Sequence, residues 1–320
     1  MSIAAPQLSW APDAPLPALL ISPLSHLGLM QVTGEQNRSF LHGQITADVN
    51  ALDANRWCWG AHCDPKGKML SAFRLFAIAD SMMLLMPKEL LSSDLPEFRK
   101  YAVFSKAELD DVSAQWTILG ITGTGAADWL HGQFPQFNRE QPLCQLEQGV
   151  ILNDGERFLL ILPTQAAAER VQEMPLYHHS AWQALEILAG YPGLDAAHQG
   201  QFVPQMCNLQ ALDGISFTKG CYMGQETVAR MKYRGGNKRA LYILKGHCSA
   251  NVTPASTLEL AMEEGFRPQG TIVEAVQNGD QLLLSAVLPN DTPADARFRI
   301  ADDPQSLLAL QPLPYTLENA

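Results

Sequence analysis

The sequence is short of charge, short of basic residues, and has no cysteine pair spaced like metal ligands. Charged residues are 17% of the 320, too few for disorder driven by charge repulsion. Lys and Arg number 22 against 33 Asp and Glu, a net charge of −11. Such a chain is not a general nucleic-acid coat, and any RNA contact needs a local basic patch. The six cysteines, at 58, 63, 144, 207, 221 and 248, contain no Cys-x-x-Cys pair, which argues against a structural zinc site. No apolar run approaches the ~18 residues of a membrane span; FLLILP and LLLSAVLP are each cut by proline. The opening MSIAAPQLSW has neither the basic nor the apolar stretch of a secretory leader. Together with the chain's length, this points to free thiols in a reducing cytoplasm. At ~150 residues per domain, the chain has room for two or three domains.

What is present is first of all a repeat. Residues 32–44 read VTGEQNRSFLHGQ and residues 121–133 read ITGTGAADWLHGQ, with Gly34 and Gly123 in the same place. The first copy is followed by WCWGAHC, the turn Asp64-Pro65-Lys66-Gly67 and KMLSAFRLFAIA, which read as a hairpin. KELLSSDLPEFRKYAV then reads as a helix despite Pro96. The second copy is followed by a hairpin around Asn153-Asp154-Gly155 and a helix opened by Thr164 as its N-cap. Each unit is thus strand, helix, hairpin, helix. That order fits a duplicated α+β fold of ferredoxin-like, split β-α-β units, with a ligand seated between the copies. His42 and His131 read as helix C-terminal residues, with Gly43 and Gly132 as left-handed caps.

After about residue 240 the pattern changes to short β-like runs with turns at Asn278-Gly279-Asp280 and Glu264-Gly265. This predicts an α+β region over 1–240, with related subdomains at about 20–110 and 111–200, followed by a C-terminal β-barrel over 241–320. The boundary falls near Gly235-Gly236-Asn237.

Residues 219–245 stand apart in charge. They hold seven bases and one acid, a charge of +6, while the remaining 15 bases and 32 acids leave −17. Clustered Arg and Lys suit carboxylates or phosphates. Within this segment, Cys221 lies between Gly220 and Gly224, beside Lys219 and just before a predicted helix from Gln225. Both neighbours favour a reactive thiolate. The other five cysteines read as small core residues.

The run KGCYMGQE, followed by VAR and YRG-x-x-KRAL, resembles the signature of the YgfZ family, bacterial folate-binding relatives of the glycine-cleavage aminomethyltransferase (T-protein). FLHGQITADV, CDPKGKM, KYAVFSK, AWQALEILAGYP, QFVPQMCNLQALDGISFTKG and PLPYTLE extend the resemblance over nearly the whole chain. It implies a ring of folate-binding α+β domains with a C-terminal β-barrel. It also implies a cytoplasmic tetrahydrofolate-binding protein that supports iron–sulfur enzymes, including a tRNA methylthiotransferase. The family's signature cysteine falls on Cys221, which would meet a transient iron–sulfur cluster, a persulfide or a partner thiol. A folate-contacting tryptophan falls on Trp182, and a second falls on Leu27, which removes one stacking ring. On the residues themselves, Trp182 suits either ring stacking or a core position on an amphipathic helix over 180–189. The signature segment offers Lys219, Tyr222, Gln225, Glu226, Arg230, Arg234, Lys238 and Arg239 to folate, the basic ones among them to a polyglutamylated tail. Two other functions compete with this reading. One is one-carbon transfer on folate, with Asp48 or Asp64 as the acid or base. The other is direct tRNA binding, against which the net charge counts.

Overall fold

The computed structural model describes residues 3–233 and 235–317. A short strand β1 (Leu20–Pro23) precedes the first unit: β2 (Leu27–Thr33), α1 (Asn37–Gln44), β3 (Cys58–Cys63), β4 (Met69–Ile78), β5 (Ser81–Pro87) and α2 (Lys88–Ala102). A second short strand β6 (Glu108–Asp111) precedes the second unit: β7 (Trp116–Thr122), α3 (Ala126–Gln133), β8 (Leu143–Leu146), β9 (Gly149–Asp154), β10 (Arg157–Pro163) and α4 (Thr164–Val171). The two TG…LHGQ segments therefore form equivalent strand–helix pairs, as the repeat predicts.

Each unit has three strands after its helix, where the sequence shows a hairpin. The extra turn in the first unit is at Ala79, whose φ is +50°; alanine there gives no turn signal. Neighbouring strands are antiparallel throughout, in the orders β3-β4-β5-β2-β6 and β8-β9-β10-β7-β1. The added strand puts two strands between β2 and β3, where a split β-α-β unit has one. The duplicated α+β architecture stands, with that change of strand order.

The short strands are exchanged. β1 lies in the second sheet, with Leu20 opposite Thr122, and β6 lies in the first, with Glu108 opposite Thr33. The Thr-Gly of each repeat is built for this exchange. Gly34 has φ +96° and Gly123 φ +111°. A side-chain carbon on Gly34 would lie 2.3 Å from the Lys106 carbonyl oxygen, and one on Gly123 2.4 Å from that of Ala18. The same carbonyls accept from the amides of Gln36 and Gly125. Gly43 and Gly132, expected as left-handed caps, instead lie inside α1 and α3 without positive φ. The expected N-cap Thr164 is the first residue of α4, after Pro163.

The sheets face each other across a core that includes Leu29, Phe76, Met83 and Leu85 from the first and Ile118, Val150, Leu159 and Ile161 from the second. Helix α5 (His179–Leu188) follows, opened by the His178 side chain, which accepts from the Ser180 amide. Its Ala181, Ala184 and Ile187 pack on Leu20 and on the C-terminal sheet through Ile243, Val276 and Leu283. A loop-rich stretch leads to α6 (Gln225–Tyr233). The C-terminal sheet comprises β11 (Arg239–His247), β12 (Leu258–Ala261), β13 (Phe266–Pro268), β14 (Thr271–Asn278), β15 (Gln281–Pro289), β16 (Arg297–Ile300) and β17 (Asp303–Gln311). Its order is β13-β12-β16-β17-β11-β15-β14, curled around a core of its own.

The glycine argument separates two pairs of substitutions. Gly34→Ala and Gly123→Ala force a side chain into a left-handed backbone against a carbonyl, so each should cost ~1–3 kcal/mol. Gly43→Ala and Gly132→Ala meet no atom within 4 Å and should gain up to ~1 kcal/mol from helix propensity. Urea denaturation of the four variants measures both effects.

Candidate functional site: a cavity between the first sheet, the following helix and the barrel

A cavity of about 430 Å³ opens where α5, the first α+β sheet and strand β14 converge, within the usual range for a small-molecule site. Its walls include Leu27 from β2, Trp59 from β3, Arg74 from β4, Trp182, Gln183 and Glu186 from α5, Tyr191–Asp195 from the following turn, and Glu274 from β14. Trp182 and Leu27, the two positions singled out in the sequence, thus meet in one site. Trp182 is 1% exposed and belongs to the core between the sheets, as its core reading has it, and it also borders the cavity. Gly120 makes room for it: a side-chain carbon there would lie 2.4 Å from the indole.

The polar floor is a network assembled from three parts of the chain. Arg74 is fully buried and donates to both Glu186 oxygens at 2.9 and 2.8 Å. Its guanidinium stacks over Trp59 at 4.5 Å and Tyr191 at 5.2 Å. Burial opposes the Arg74 charge, but the Glu186 and Asp154 carboxylates outweigh it and hold its pKa above the ordinary value. Arg157 donates to Asp154 and to the Leu185 carbonyl, and the Tyr191 hydroxyl donates to Asp154 at 2.5 Å. Two arginines thus balance two carboxylates.

Several groups in this cavity lack a partner. Trp59 Nε1, Trp182 Nε1, Arg74 Nε, His26 Nδ1 and Glu274 Oε2 are buried without a hydrogen bond, and all five residues line it. Burying an unpaired polar group costs ~1–3 kcal/mol, so such a concentration calls for an explanation, and a bound ligand or water that these side chains turn to meet supplies one. Burial, with the neighbouring His179, Lys88 and His178, pushes His26 down to about 4, leaving it neutral. Burial pushes the Glu274 carboxyl up to about 8; the Gln183 amide offsets this in part, while Glu186 and Asp195 add to it.

The basic signature segment lies elsewhere: no described residue of 219–245 lines the cavity. Lys219 donates to the carbonyls of His42, Ile45 and Ala47 at 2.6, 2.8 and 2.8 Å. It caps the C-terminal end of α1, where helix carbonyls have no internal partner. Burial brings Lys219 down to about 8, and its ammonium lies over the buried Tyr222 ring at 4.9 Å. Gly224, with φ +78°, packs against Asp64 and Gly67 of the β3–β4 turn, and the Met223 amide donates to Gly43. The KGCYMGQE and CDPKGKM motifs are therefore one assembly, and the loop they hold presents Cys221, the one exposed cysteine of six. Gln225 is half-buried at the start of α6, and Glu226, Arg230, Lys238 and Arg239 are exposed. Arg234 lies outside the described residues. Asp64 accepts from the amides of Lys66 and Lys68, and Asp48 from those of Asn50 and Ala51. Both cap turns, and neither lines the cavity.

Sequence reasoning missed Trp59, Arg74, Glu186, Tyr191 and Glu274. Glu186 sits one helical turn after Trp182, and Glu274 is a single acid in the apolar run TIVEAV; both signals were available.

These features define a class: a duplicated α+β protein with an appended β-barrel and a ligand-sized cavity between the first α+β sheet, α5 and the barrel. The chain belongs to the YgfZ family. It is 42% identical over 311 residues to a tRNA-modifying protein YgfZ of Yersinia pestis (strain Pestoides F), with 94% of each chain covered. It is 43% identical over 312 residues, again 94% of each, to that of Serratia proteamaculans (strain 568). Residues 237–303 match the family described as YgfZ, beta-barrel domain. The fold is that of the glycine cleavage system aminomethyltransferase T from Bartonella henselae, with a TM-score of 0.67 at 17% identity, covering 93% of this chain and 86% of that one.

Glu274 makes stability depend on pH in a defined direction. Its folded-state pKa is raised, so between about pH 4.5 and 8 the folded protein holds a proton that the unfolded chain has released. Stability from this group is full below that window and is lost as pH rises through it. The melting temperature of Glu274→Gln minus that of the wild type should therefore grow from pH 5 to pH 8 in ligand-free thermal denaturation.

Proposed function

We propose that this protein binds tetrahydrofolate in the central cavity and works in the cytoplasm as an accessory to iron–sulfur enzymes, among them a tRNA methylthiotransferase. The observation that carries the folate reading is the set of unpartnered polar atoms around Trp182. A reduced pterin has a ring to stack on the indole, a carbonyl for the Trp59, Trp182 and Arg74 donors, and N–H groups for an acceptor. In this reading the Arg74–Glu186 pair keeps its place as the ligand enters. Leu27 contributes an apolar wall where a second stacking ring is expected. A polyglutamylated tail leaving the cavity meets Lys88, exposed on its rim. The basic face of α6 and the start of β11 is then free for an anionic surface of a partner.

The relatives named as tRNA-modifying proteins support the link to tRNA modification. In this reading Cys221 is the thiol offered to that chemistry. A cluster takes about four cysteine ligands, and this chain exposes one, so the partner enzyme holds the cluster and Cys221 visits it or a persulfide. One-carbon transfer is the weaker reading, because Asp48 and Asp64 are occupied in turns.

Tetrahydrofolate should quench tryptophan fluorescence with a Kd of roughly 1–100 μM, and Trp182→Phe should remove most of the signal. Cys221→Ser should bind folate as the wild type does and melt within ~2 °C of it, since exposed substitutions cost little. In a deletion strain it should fail to restore methylthiolated tRNA. Absence of saturable binding, with calorimetry also flat, would overturn the folate assignment; full complementation by Cys221→Ser would overturn the role of the thiol.

A further inference from the structure

Strand β14 contains one bulge, and Glu274 sits at it. Ile272 pairs with Ala286 and Glu274 with Ser285, which leaves Val273 as the extra residue. Ile272 and Ala275 point into the barrel's own core, whereas Val273 joins the core of the first α+β half and Glu274 joins the cavity. Simple alternation would turn residue 274 toward the barrel interior with 272. The bulge re-aims it outward, a common use of an extra strand residue beside a site.

The carboxyl is packed tightly where it lands. A side-chain carbon on Gly193 would lie 1.9 Å from Glu274 Oε2, so the glycine turn after α5 leaves space for that oxygen. Oε2 is buried with no hydrogen-bond partner. The basic groups of the cavity do not neutralise it: Arg74 is committed to Glu186, and His26 is neutral. Lys88 with Glu89 stands at the rim, and Asp195 and Tyr191 lie on the turn beside Gly193. Glu186 pairs with Arg74 and Asp195 with His198, and Glu89 is exposed at the rim; among the described residues Glu274 is the cavity's one carboxylate that is neither paired nor exposed.

We infer that Glu274 is the specificity-determining residue of the cavity, its carboxylate accepting from an adjacent pair of N–H donors on the ligand, the 2-amino-pyrimidinone edge of a pterin or an equivalent amidine-type edge. This rests on the proposed folate site and names the group that reads the ligand's head there. It also gives the barrel a role, since the reading group comes from β14 while the stacking ring comes from α5. A carboxyl protonated in the empty cavity must give up its proton to accept two N–H groups. Binding therefore releases a proton at neutral pH, and affinity rises with pH until the empty site is itself ionised.

The test is calorimetric titration of 5-formyltetrahydrofolate, 6-methyltetrahydropterin and the 2-oxo counterpart of that pterin into wild type and Glu274→Gln. It is run from pH 6.5 to 9 in two buffers of different ionisation enthalpy. The inference predicts that the wild type prefers the 2-amino head at least tenfold over the 2-oxo head and releases close to one proton per ligand at pH 7. Affinity should rise with pH and level off above about 8. Glu274→Gln, melting no lower than wild type, should lose tenfold or more in affinity at pH 8.5, along with the preference and the proton release. Folate binding that is unchanged in Glu274→Gln, with no proton released, would overturn the inference and leave the folate site intact. Tight pterin binding without folate binding would overturn the folate reading and uphold Glu274. Binding of neither would overturn both.

Discussion

The crossed pairing of β1 and β6 is the constraint on which the rest of the molecule depends. Each half lends its leading strand to the other's sheet, in the same register, so neither sheet is complete alone. The halves are thereby fixed face to face, and their inner faces bury one shared apolar layer. Beside the first sheet, α5 and β14 pack against β2–β5 and leave the cavity between them. The two Thr-Gly pairs are the local requirement of this exchange, because only a residue without a side chain can pass so close to the incoming carbonyl.

A second constraint sets the other functional surface. The Lys219 ammonium holds three carbonyls at and just beyond the end of α1, and Gly224 interlocks with Gly67. This fixes the loop that exposes Cys221 independently of the cavity. The cavity and the exposed Cys221 are thus mounted on separate supports within one chain. That arrangement suits an accessory protein whose partner brings the reacting centre, because the thiol remains accessible whatever occupies the cavity.

Much of this was legible in the residues. The TG…LHGQ repeat announced the duplication, and the turn chemistry of Asp64–Gly67 and of Gly155 placed two hairpins. The exchange of edge strands was not legible, because β1 and β6 are four residues each and nothing in LISP or ELDD names a partner. The turn at Ala79 hid β5 for want of a glycine or asparagine. Trp182, which borders the cavity, and Cys221, exposed on a loop away from it, were singled out through their surroundings and the family resemblance. The basic cluster misled as a lining for the cavity: composition shows where cations concentrate along the chain, but not which of them a helix end has already engaged, as with Lys219. Arg74 and Glu186 were missed because their significance comes from pairing across 112 positions.

The central claim is that folate binds where α5, the turn after it and β14 meet, away from the signature loop. Amide hydrogen exchange with and without tetrahydrofolate tests it directly. The account predicts slowed exchange in residues 182–195 and 272–276, with 219–233 unchanged. Protection confined to 219–239, with α5 and β14 unaffected, would contradict it.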